Sequence, residues 1–435
     1  MLIYTPKINN RIVFIMNVVF NEHLHIPYQL TESVDEFRRA DVKISYANQP
    51  IENEVFIWKH GLLAETDINP QTIDKGWYEE EPVFFQSPHS QSFLPFDIFA
   101  LSFYLLTRYE EYLPHQKDKY GRFLATDSIA YKMDFLQKPL IDILVLKFAK
   151  KLQTVFPNLT YPLMPAKYIA TYDIDNAYAY KHKGIMRTAG GFLKHALQFN
   201  VREIANRLSV LAGKRQDPFD SYNYIKSINQ KYDLETYYFI LFAKKSRYDR
   251  GLNPKNKSFQ KLINQLHAGG NIGCHPSFAS FFQPEKLTNE INHLAAILQK
   301  KIPFVRSHFL LLNFPQTYQH FISNGVKIDF TLGYAEQVGF RASTCKPFPF
   351  FDLSVNEETT LILCPFAYME ETLQNYMKVS ANDGLIVIKQ LIDAVKLVQG
   401  TFISLWHNEN FWKNNGEWKK IYEQSLDYFY GANPQ

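Results

Sequence analysis

The sequence contains little cysteine. Only Cys274, Cys345 and Cys364 occur among 435 residues, and they form neither a CxxC pair nor the spacing of a zinc finger. This sparse, odd number fits a reducing compartment, because small secreted domains depend on many paired cysteines. A chain of this length buries about three quarters of the surface that its unfolded form exposes, so disulfides are not needed to stabilise it.

The sequence also has little net charge. It holds 47 Lys or Arg and 43 Asp or Glu, a formal net charge of +4 that we expect to be spread along the chain. So small a charge argues against nucleic acid as the partner. The 46% of hydrophobic residues and 21% of charged residues exclude a disordered chain.

No stretch is apolar over the length that a membrane span requires. The apolar stretch 12–20 has nine residues and is interrupted by Asn17, whereas a transmembrane helix needs about 20. No small-residue cleavage site of a signal peptide follows it. We predict that this stretch is a buried strand and that the protein is cytoplasmic.

Aromatic residues, in contrast, are frequent. There are 36 Phe, 27 Tyr and 5 Trp, together 16% of the chain. Aromatic rings stack on the faces of sugars, which favours carbohydrate binding. Most of these residues lie within apolar runs, however, which favours a core rich in Phe and Tyr. Both interpretations stay open.

The pattern of predicted elements changes near residue 160. Before it, strand-like runs at 12–20, 42–47 and 55–61 precede amphipathic helices at 95–113 and 137–153. After it, short apolar strands alternate with helices, which is typical of a parallel α/β protein. We predict an α+β domain over residues 1–160 and an irregular (β/α) barrel of about seven parallel strands over residues 161–435.

The predicted barrel has a long insertion after its first strand. The predicted strands are 167–173, 235–243, 271–275, 303–308, 326–331, 359–366 and 401–407. The predicted helices are 258–270, 284–301, 316–325 and 382–400. Residues 176–234 read as a helical insertion.

Potential metal ligands follow several of these strands directly. Of 13 histidines, three stand at the end of a predicted strand, and two aspartates stand at the end of the first: His275, His308, His407, Asp173 and Asp175. In α/β barrels the chemistry collects where strands end, so we expect these side chains and Arg306 to meet at one mouth. Carboxylate and imidazole are common ligands of zinc, which suggests a hydrolase that uses a divalent metal.

Four motifs resemble those of the polysaccharide deacetylases, carbohydrate esterase family 4. They are TYDID (171–175), CHPSFAS (274–280), RSHF (306–309) and SLWH (404–407), in the family's order within residues 167–410. The fourth family motif has a weaker counterpart, either Asp329 or the segment 339–344. The resemblance implies a deacetylase with a divalent metal, first of all Zn²⁺, acting on an N-acetylated sugar or glycan.

The resemblance also implies a role for each matching residue. Asp173 corresponds to the catalytic base, Arg306 to the arginine that holds it, and His407 to the general acid. Asp175 and His275 correspond to metal ligands. The family's second histidine is Ala279 in this chain, and we predict that His308 replaces it as the third ligand, because it lies two residues after Arg306 and shares its face in an extended strand.

Two other functions remain open. The first is a catalytically inactive protein for carbohydrate binding or assembly, which Ala279 and the aromatic content favour. The second is a different hydrolase of carbon–nitrogen bonds that acts on a small amide.

Overall fold

The chain forms three sheets in the computed structural model, which describes residues 1–162, 164–243, 246–412 and 416–431. A four-stranded sheet and a two-stranded hairpin lie in the amino-terminal segment, and a nine-stranded sheet follows. The nine-stranded sheet carries the predicted site residues at the ends of its strands.

The amino-terminal segment contains six strands and six α-helices. The strands are β1 (Leu2–Tyr4), β2 (Gln29–Thr31), β3 (Lys43–Ala47), β4 (Val55–Trp58), β5 (Gly76–Tyr78) and β6 (Glu81–Val83). The helices are α1 (Asn10–Met16), α2 (Val34–Arg39), α3 (Ile98–Leu106), α4 (Tyr109–Tyr112), α5 (Ile129–Lys132) and α6 (Leu140–Val155). The larger sheet has the order β2-β1-β3-β4 with parallel pairing throughout.

The prediction of a strand over residues 12–20 is wrong. This stretch forms α1 and a wider helical turn over Asn17–His23. The side chain of Asn9 accepts a hydrogen bond from the backbone N–H of Ile12 and so caps the helix. Both a helix and a strand can bury such a short apolar run, so its composition did not separate the two.

The remainder of the chain contains the large sheet and its helices. The strands are β7 (Lys167–Ile174), β8 (Glu235–Leu241), β9 (Asn271–His275), β10 (Phe304–Val305), β11 (Ile328–Asp329), β12 (Phe348–Asp352), β13 (Glu357–Leu363), β14 (Tyr368–Met369) and β15 (Thr401–His407). The helices are α7 (Ile185–Leu197), α8 (Val201–Leu211), α9 (Tyr222–Lys231), α10 (Lys257–His267), α11 (Phe278–Phe282), α12 (Pro284–Leu298), α13 (Gln316–Ser323), α14 (Ala381–Leu397) and α15 (Gly416–Tyr430).

The large sheet is a parallel α/β sheet with one antiparallel strand. Its order is β12-β13-β11-β10-β9-β8-β7-β15-β14, and only the β12–β13 pair is antiparallel. The α/β class is thus confirmed, and seven of the nine strands overlap the seven predicted ones. The closed barrel is not seen as such: within the described residues the strand order is linear, with β12 and β14 at its edges. The short link between β13 and β14 is hydrogen-bonded to both β11 and β15. The backbone N–H of Cys364 donates to the carbonyl oxygen of Asp329, and the backbone N–H of Ala367 donates to the carbonyl oxygen of Ile403.

One hydrophobic core runs from the amino-terminal segment into the large sheet, and all three cysteines are buried as free thiols. Buried ion pairs join the two parts. Oε1 of Glu111 accepts a hydrogen bond from Nε–H of Arg108 at 2.8 Å and another from Nε–H of Arg341 at 2.9 Å. Arg341 belongs to the segment 339–344, one of the two counterparts proposed for the fourth motif, and its ion pair is made at this junction.

Candidate metal centre

The carboxyl ends of neighbouring parallel strands bring the predicted residues together. In the pairing of β7 with β15, Asp173 lies opposite His407. His275 ends β9, and His308 follows β10, the next strand in the sheet. Parallel strands end at the same edge of a sheet, so four of the five consecutive strands β10-β9-β8-β7-β15, all but β8, bring their polar ends to one place.

Asp175 lies between two imidazoles. Its Oδ1 is 3.2 Å from Nε2 of His275, and its Oδ2 is 3.2 Å from Nε2 of His308. One ligand atom from each of the three residues lies within 4.8 Å of the others. Within the described ranges, this is the only group of three or more His, Cys, Asp or Glu side chains with such a geometry.

Both imidazoles are anchored through their other nitrogen. Nδ1 of His275 is 2.5 Å from the carbonyl oxygen of Arg306, and Nδ1 of His308 is 3.0 Å from Oδ1 of Asp249. A carbonyl and a carboxylate only accept hydrogen bonds, so each Nδ1 carries the hydrogen. In the neutral rings, each Nε2 therefore presents a lone pair towards Asp175. Metal-binding histidines are oriented by such outer hydrogen bonds.

The three facing atoms suit a cation. With both rings neutral, two imidazole lone pairs face the Asp175 carboxylate, an arrangement that a divalent metal satisfies. Without a metal, a proton supplies the positive charge. Burial disfavours protonated His308, but Asp175 and Asp249 outweigh burial and raise the pKa of His308 to about 9. Burial likewise disfavours ionised Asp175, but His308 and His275 hold the pKa of Asp175 well below its ordinary value.

Asp173 lies beside this group and is held by a buried arginine. Nη1 of Arg306 is 3.0 Å from Oδ1 of Asp173, and Oδ2 of Asp173 is 3.6 Å from Nε2 of His275. Arg306 has no exposed surface, and it lies over the ring of Phe239 at 4.6 Å. Burial lowers the pKa of Arg306, and Asp173 opposes that effect. The pair leaves Asp173 as a fixed carboxylate next to the three-residue cluster.

His407, the last residue of β15, lies beside Asp175. Its Nε2 is 3.9 Å from Oδ2 of Asp175, and its Nδ1 is 2.8 Å from Oε1 of the fully buried Glu370. Burial disfavours the protonated ring, but Glu370 outweighs it and raises the pKa of His407 well above its ordinary value. His407 is therefore protonated at neutral pH and available as a proton donor.

These residues line an open cleft of about 250 Å³. The amino-terminal segment contributes one wall through Arg122. Arg122 donates to the carbonyl oxygen of Phe309 at 3.2 Å and pairs with Asp118 at 2.7 Å. It also lies 3.4 Å from the hydroxyl of Tyr376. A cationic side chain from the first 160 residues thus borders the cleft.

The structure brings together all six predicted site residues, and their catalytic and ligand roles stay predictions. Ala279 lies in α11 and is half-buried. Asp329 is buried away from the cleft lining, where it accepts hydrogen bonds from Thr331.

Three functional candidates were missed from the sequence: Asp249, Glu370 and Glu409. Asp249 lies in a loop eight residues after β8. Glu370 directly follows the short β14, so a strand-end signal was present but its strand was not predicted. Burial and the neighbouring Asp175 raise the pKa of Glu409, in the loop after β15, to about 7.

Comparisons with known proteins match only parts of this chain. Residues 1–157 match the model of a family of unknown function, DUF7033. No curated protein matches the sequence. A Mycobacterium smegmatis protein assigned as a polysaccharide deacetylase is 12% identical, with a TM-score of 0.40, over 62% of this chain and 86% of that one.

Two Bacillus proteins are also similar. The polysaccharide deacetylase Bc1974 from Bacillus cereus is 10% identical, with a TM-score of 0.29, over 60% of this chain and 87% of that one. BA3943 from Bacillus anthracis, a pseudoenzyme of carbohydrate esterase family 4, is 9% identical, with a TM-score of 0.27, over 60% and 63%. The structural neighbours thus include both deacetylases and a pseudoenzyme, and at these scores the functional assignment depends on the site itself.

Proposed function

We propose that this protein is a metal-dependent hydrolase that removes an acetyl group from an N-acetylated sugar or glycan. The observation that carries the proposal is the meeting of the Asp175 carboxylate with Nε2 of His275 and Nε2 of His308, each at 3.2 Å, while both rings are anchored through Nδ1. In this proposal, Asp175, His275 and His308 hold a divalent cation, and zinc suits one carboxylate and two imidazoles best. The cation supplies Lewis acidity towards the acyl carbonyl.

The remaining residues move the protons. Asp173, held in place by Arg306, accepts a proton from the attacking water. The oxygen of that water bonds to the acyl carbon, and the carbon–nitrogen bond breaks. His407, protonated because of Glu370, donates its proton to the leaving nitrogen. The products are acetate and an amino sugar, and the two groups act from the paired ends of β7 and β15.

The sugar substrate is inferred from the four motifs that resemble the deacetylase family. The cleft supports it with charged side chains in its lining, among them Arg122, Glu371 and Glu409. We further propose that residues 1–160 form a domain that shapes this cleft and that residues 161–435 carry the chemistry. Arg122 would then contact substrate hydroxyl or acyl oxygens from the amino-terminal side.

An inactive binding protein is the second candidate, favoured by Ala279 at the position of a family ligand. Because His308 completes the three-residue cluster, the replacement of that ligand does not by itself argue for loss of catalysis. The two candidates differ in turnover and agree on sugar binding.

Acetate release from N-acetylglucosamine oligomers distinguishes these candidates. The protein is stripped with a chelator, reloaded with zinc and assayed for acetate and free amine, with Asp173→Asn as the matched inactive control. The proposal predicts acetate and amine in equal amounts, only after reloading. Zinc binding without acetate would favour the binding protein, and ammonia from small amides would favour the other hydrolase.

A further inference from the structure

The insertion after β7 contains a helical hairpin whose outer surface is apolar. Helices α7 and α8 are joined by a short turn around Phe199. Of the 20 large apolar side chains that are exposed in the described residues, eight lie here: Ile185, Met186, Leu193, Leu197, Phe199, Val201, Leu208 and Leu211. They are 41–90% exposed. Soluble surfaces rarely concentrate apolar groups in this way, and such patches mark interaction sites.

The exposed apolar residues follow helical spacing. In α7 they recur every four residues at positions 185, 189, 193 and 197, the third and fourth of which are Leu. In α8, Val201, Ala205 and Leu208 continue the pattern. Residues three and four apart lie on the same face of a helix, so each helix has one apolar stripe.

The polar side of the hairpin faces the body of the protein. Arg187 donates to the carbonyl oxygens of Gly251 and Arg250, both at 3.0 Å. Arg207 is buried and lies 4.7 Å from the ring centre of Tyr180. These contacts hold the hairpin with its apolar stripes facing solvent. An ordinary amphipathic helix on a protein surface instead turns its apolar stripe towards the core.

The hairpin is also strongly basic. Arg187 and Arg207 face the body, whereas four other cationic side chains in and next to the hairpin are exposed: Lys194, Arg202, Lys214 and Arg215. The wider segment 181–215 contains eight Lys or Arg and one Glu, a net charge of +7 in a chain whose total is +4. The rest of the chain therefore carries −3, which contradicts the even spread of charge expected from the composition. An apolar stripe bordered by Lys and Arg is the pattern of helices that lie in the interface of an anionic bilayer.

We propose that the α7–α8 hairpin binds the surface of a membrane that contains anionic lipids. The apolar stripes enter the boundary between headgroups and acyl chains, and the flanking Lys and Arg contact lipid phosphates. No helix in the described part of the chain is long and apolar enough to cross a bilayer, so the proposal concerns the surface alone. It does not depend on the proposed deacetylase activity.

The hairpin stands next to the candidate metal centre. An open cavity of about 1,060 Å³ is lined by residues of both the hairpin and the body, and Glu409 borders both this cavity and the metal cleft. Asn176, which also borders the cavity, directly follows Asp175. A protein held by this hairpin would present its cleft close to the bilayer surface.

Co-sedimentation with lipid vesicles tests the proposal. Full-length protein is mixed with vesicles of equal parts phosphatidylglycerol and phosphatidylcholine, and with vesicles of phosphatidylcholine alone. We expect the protein to bind the anionic vesicles at least about tenfold more strongly than the neutral ones, because each cationic residue near the surface adds attraction. Leu197→Gln combined with Phe199→Gln should weaken the anionic binding by about tenfold or more.

Leu397→Gln is the matched control. Leu397 ends α14 as Leu197 ends α7, and the two are 70% and 72% exposed. This variant should bind the vesicles as the wild type does. Absence of vesicle binding, or equal binding by the wild type and the double variant, would overturn the proposal. A wild-type dimer that the same double variant converts to a monomer, without vesicle binding, would instead assign the surface to a second copy of the chain.

Discussion

The metal cluster and the α7–α8 hairpin invert the usual distribution of polar and apolar groups in opposite ways. The cluster buries carboxylates, imidazoles and a guanidinium, whereas the hairpin exposes Leu, Ile, Phe and Val. Buried charges are costly unless they are paired, and exposed apolar surface loses the stabilisation that burial gives. We therefore expect each region to bind a partner: a cation in the cluster and a lipid surface at the hairpin.

The two regions differ in how firmly they are held. Both imidazoles of the cluster are fixed by a second contact, His275 by the carbonyl oxygen of Arg306 and His308 by Asp249. The hairpin is attached through contacts of its inner side only, and its apolar stripes contact solvent. In our proposals, the cluster is preorganised for a small cation, whereas the hairpin is fitted to an extended surface.

The largest expected effect separates Asp175 from Asp173. Asp175→Asn removes the charge between the two imidazoles, and we expect it to lower zinc affinity by more than about 100-fold and to abolish turnover, since even outer-shell changes cost about 10–100-fold. Asp173→Asn should retain zinc and lose about 10²–10⁴-fold in kcat, as for a general base. Zinc titration calorimetry and an acetate assay measure both quantities. Equal loss of zinc in the two variants would contradict this division.

A smaller loss is expected on the His407 side. His407→Ala should lower kcat by about 10²–10³-fold with unchanged zinc affinity, because a proton donor to the leaving group is lost. Glu370→Gln should give an intermediate loss, because the ring keeps its place but loses the carboxylate that favours its protonated form. Acetate kinetics together with zinc content test this order. A variant of either residue that loses zinc would assign His407 to the metal.

The anchoring of His308 gives the next effect. Asp249→Asn weakens the hydrogen bond that orients Nδ1 of His308, and we expect zinc affinity to fall by about 10–100-fold. Asp118→Asn is the matched control, since it removes an ion pair with Arg122 at the cleft wall and leaves the cluster untouched. If both variants bind zinc as the wild type does, the anchoring does not matter for the metal.

The last effect is on stability and concerns a buried carboxylate outside the cluster. Burial raises the pKa of Asp329 to about 7, although hydrogen bonds from Thr331 oppose it. The unfolded value is about 4, so the folded state binds more protons between pH 4 and 7, and the free energy of unfolding falls as pH rises through this range. In Asp329→Asn this part of the decline, on the order of a few kcal/mol, should be absent. Urea denaturation at pH 5 and pH 7.5 measures it, and equal pH slopes in both proteins would refute it.

The strand-end residues were predictable because apolar strands are visible in sequence and their ends meet in space. His275 and His407 each end a strand of five or more residues. Asp249 was not predictable in this way, because it reaches His308 from a loop whose path depends on tertiary contacts. Glu370 follows β14, a strand of two residues with too little sequence signal.

The sequence was least informative where burial alone decides. The stretch 12–20 is equally apolar as a helix or a strand, and its cap at Asn9 resolves the choice. The helical insertion 176–234 was predicted, but the outward direction of its apolar stripes was not. That direction depends on long-range contacts such as the one between Arg187 and Gly251.

X-ray absorption at the zinc edge tests the central claim most directly. Zinc-loaded wild type should show two imidazole ligands at about 2.0–2.1 Å together with oxygen ligands. His308→Ala should retain one imidazole, from His275, and bind zinc more weakly. Two imidazoles in both proteins, or none in the wild type, would contradict the assignment of Asp175, His275 and His308 as the metal site.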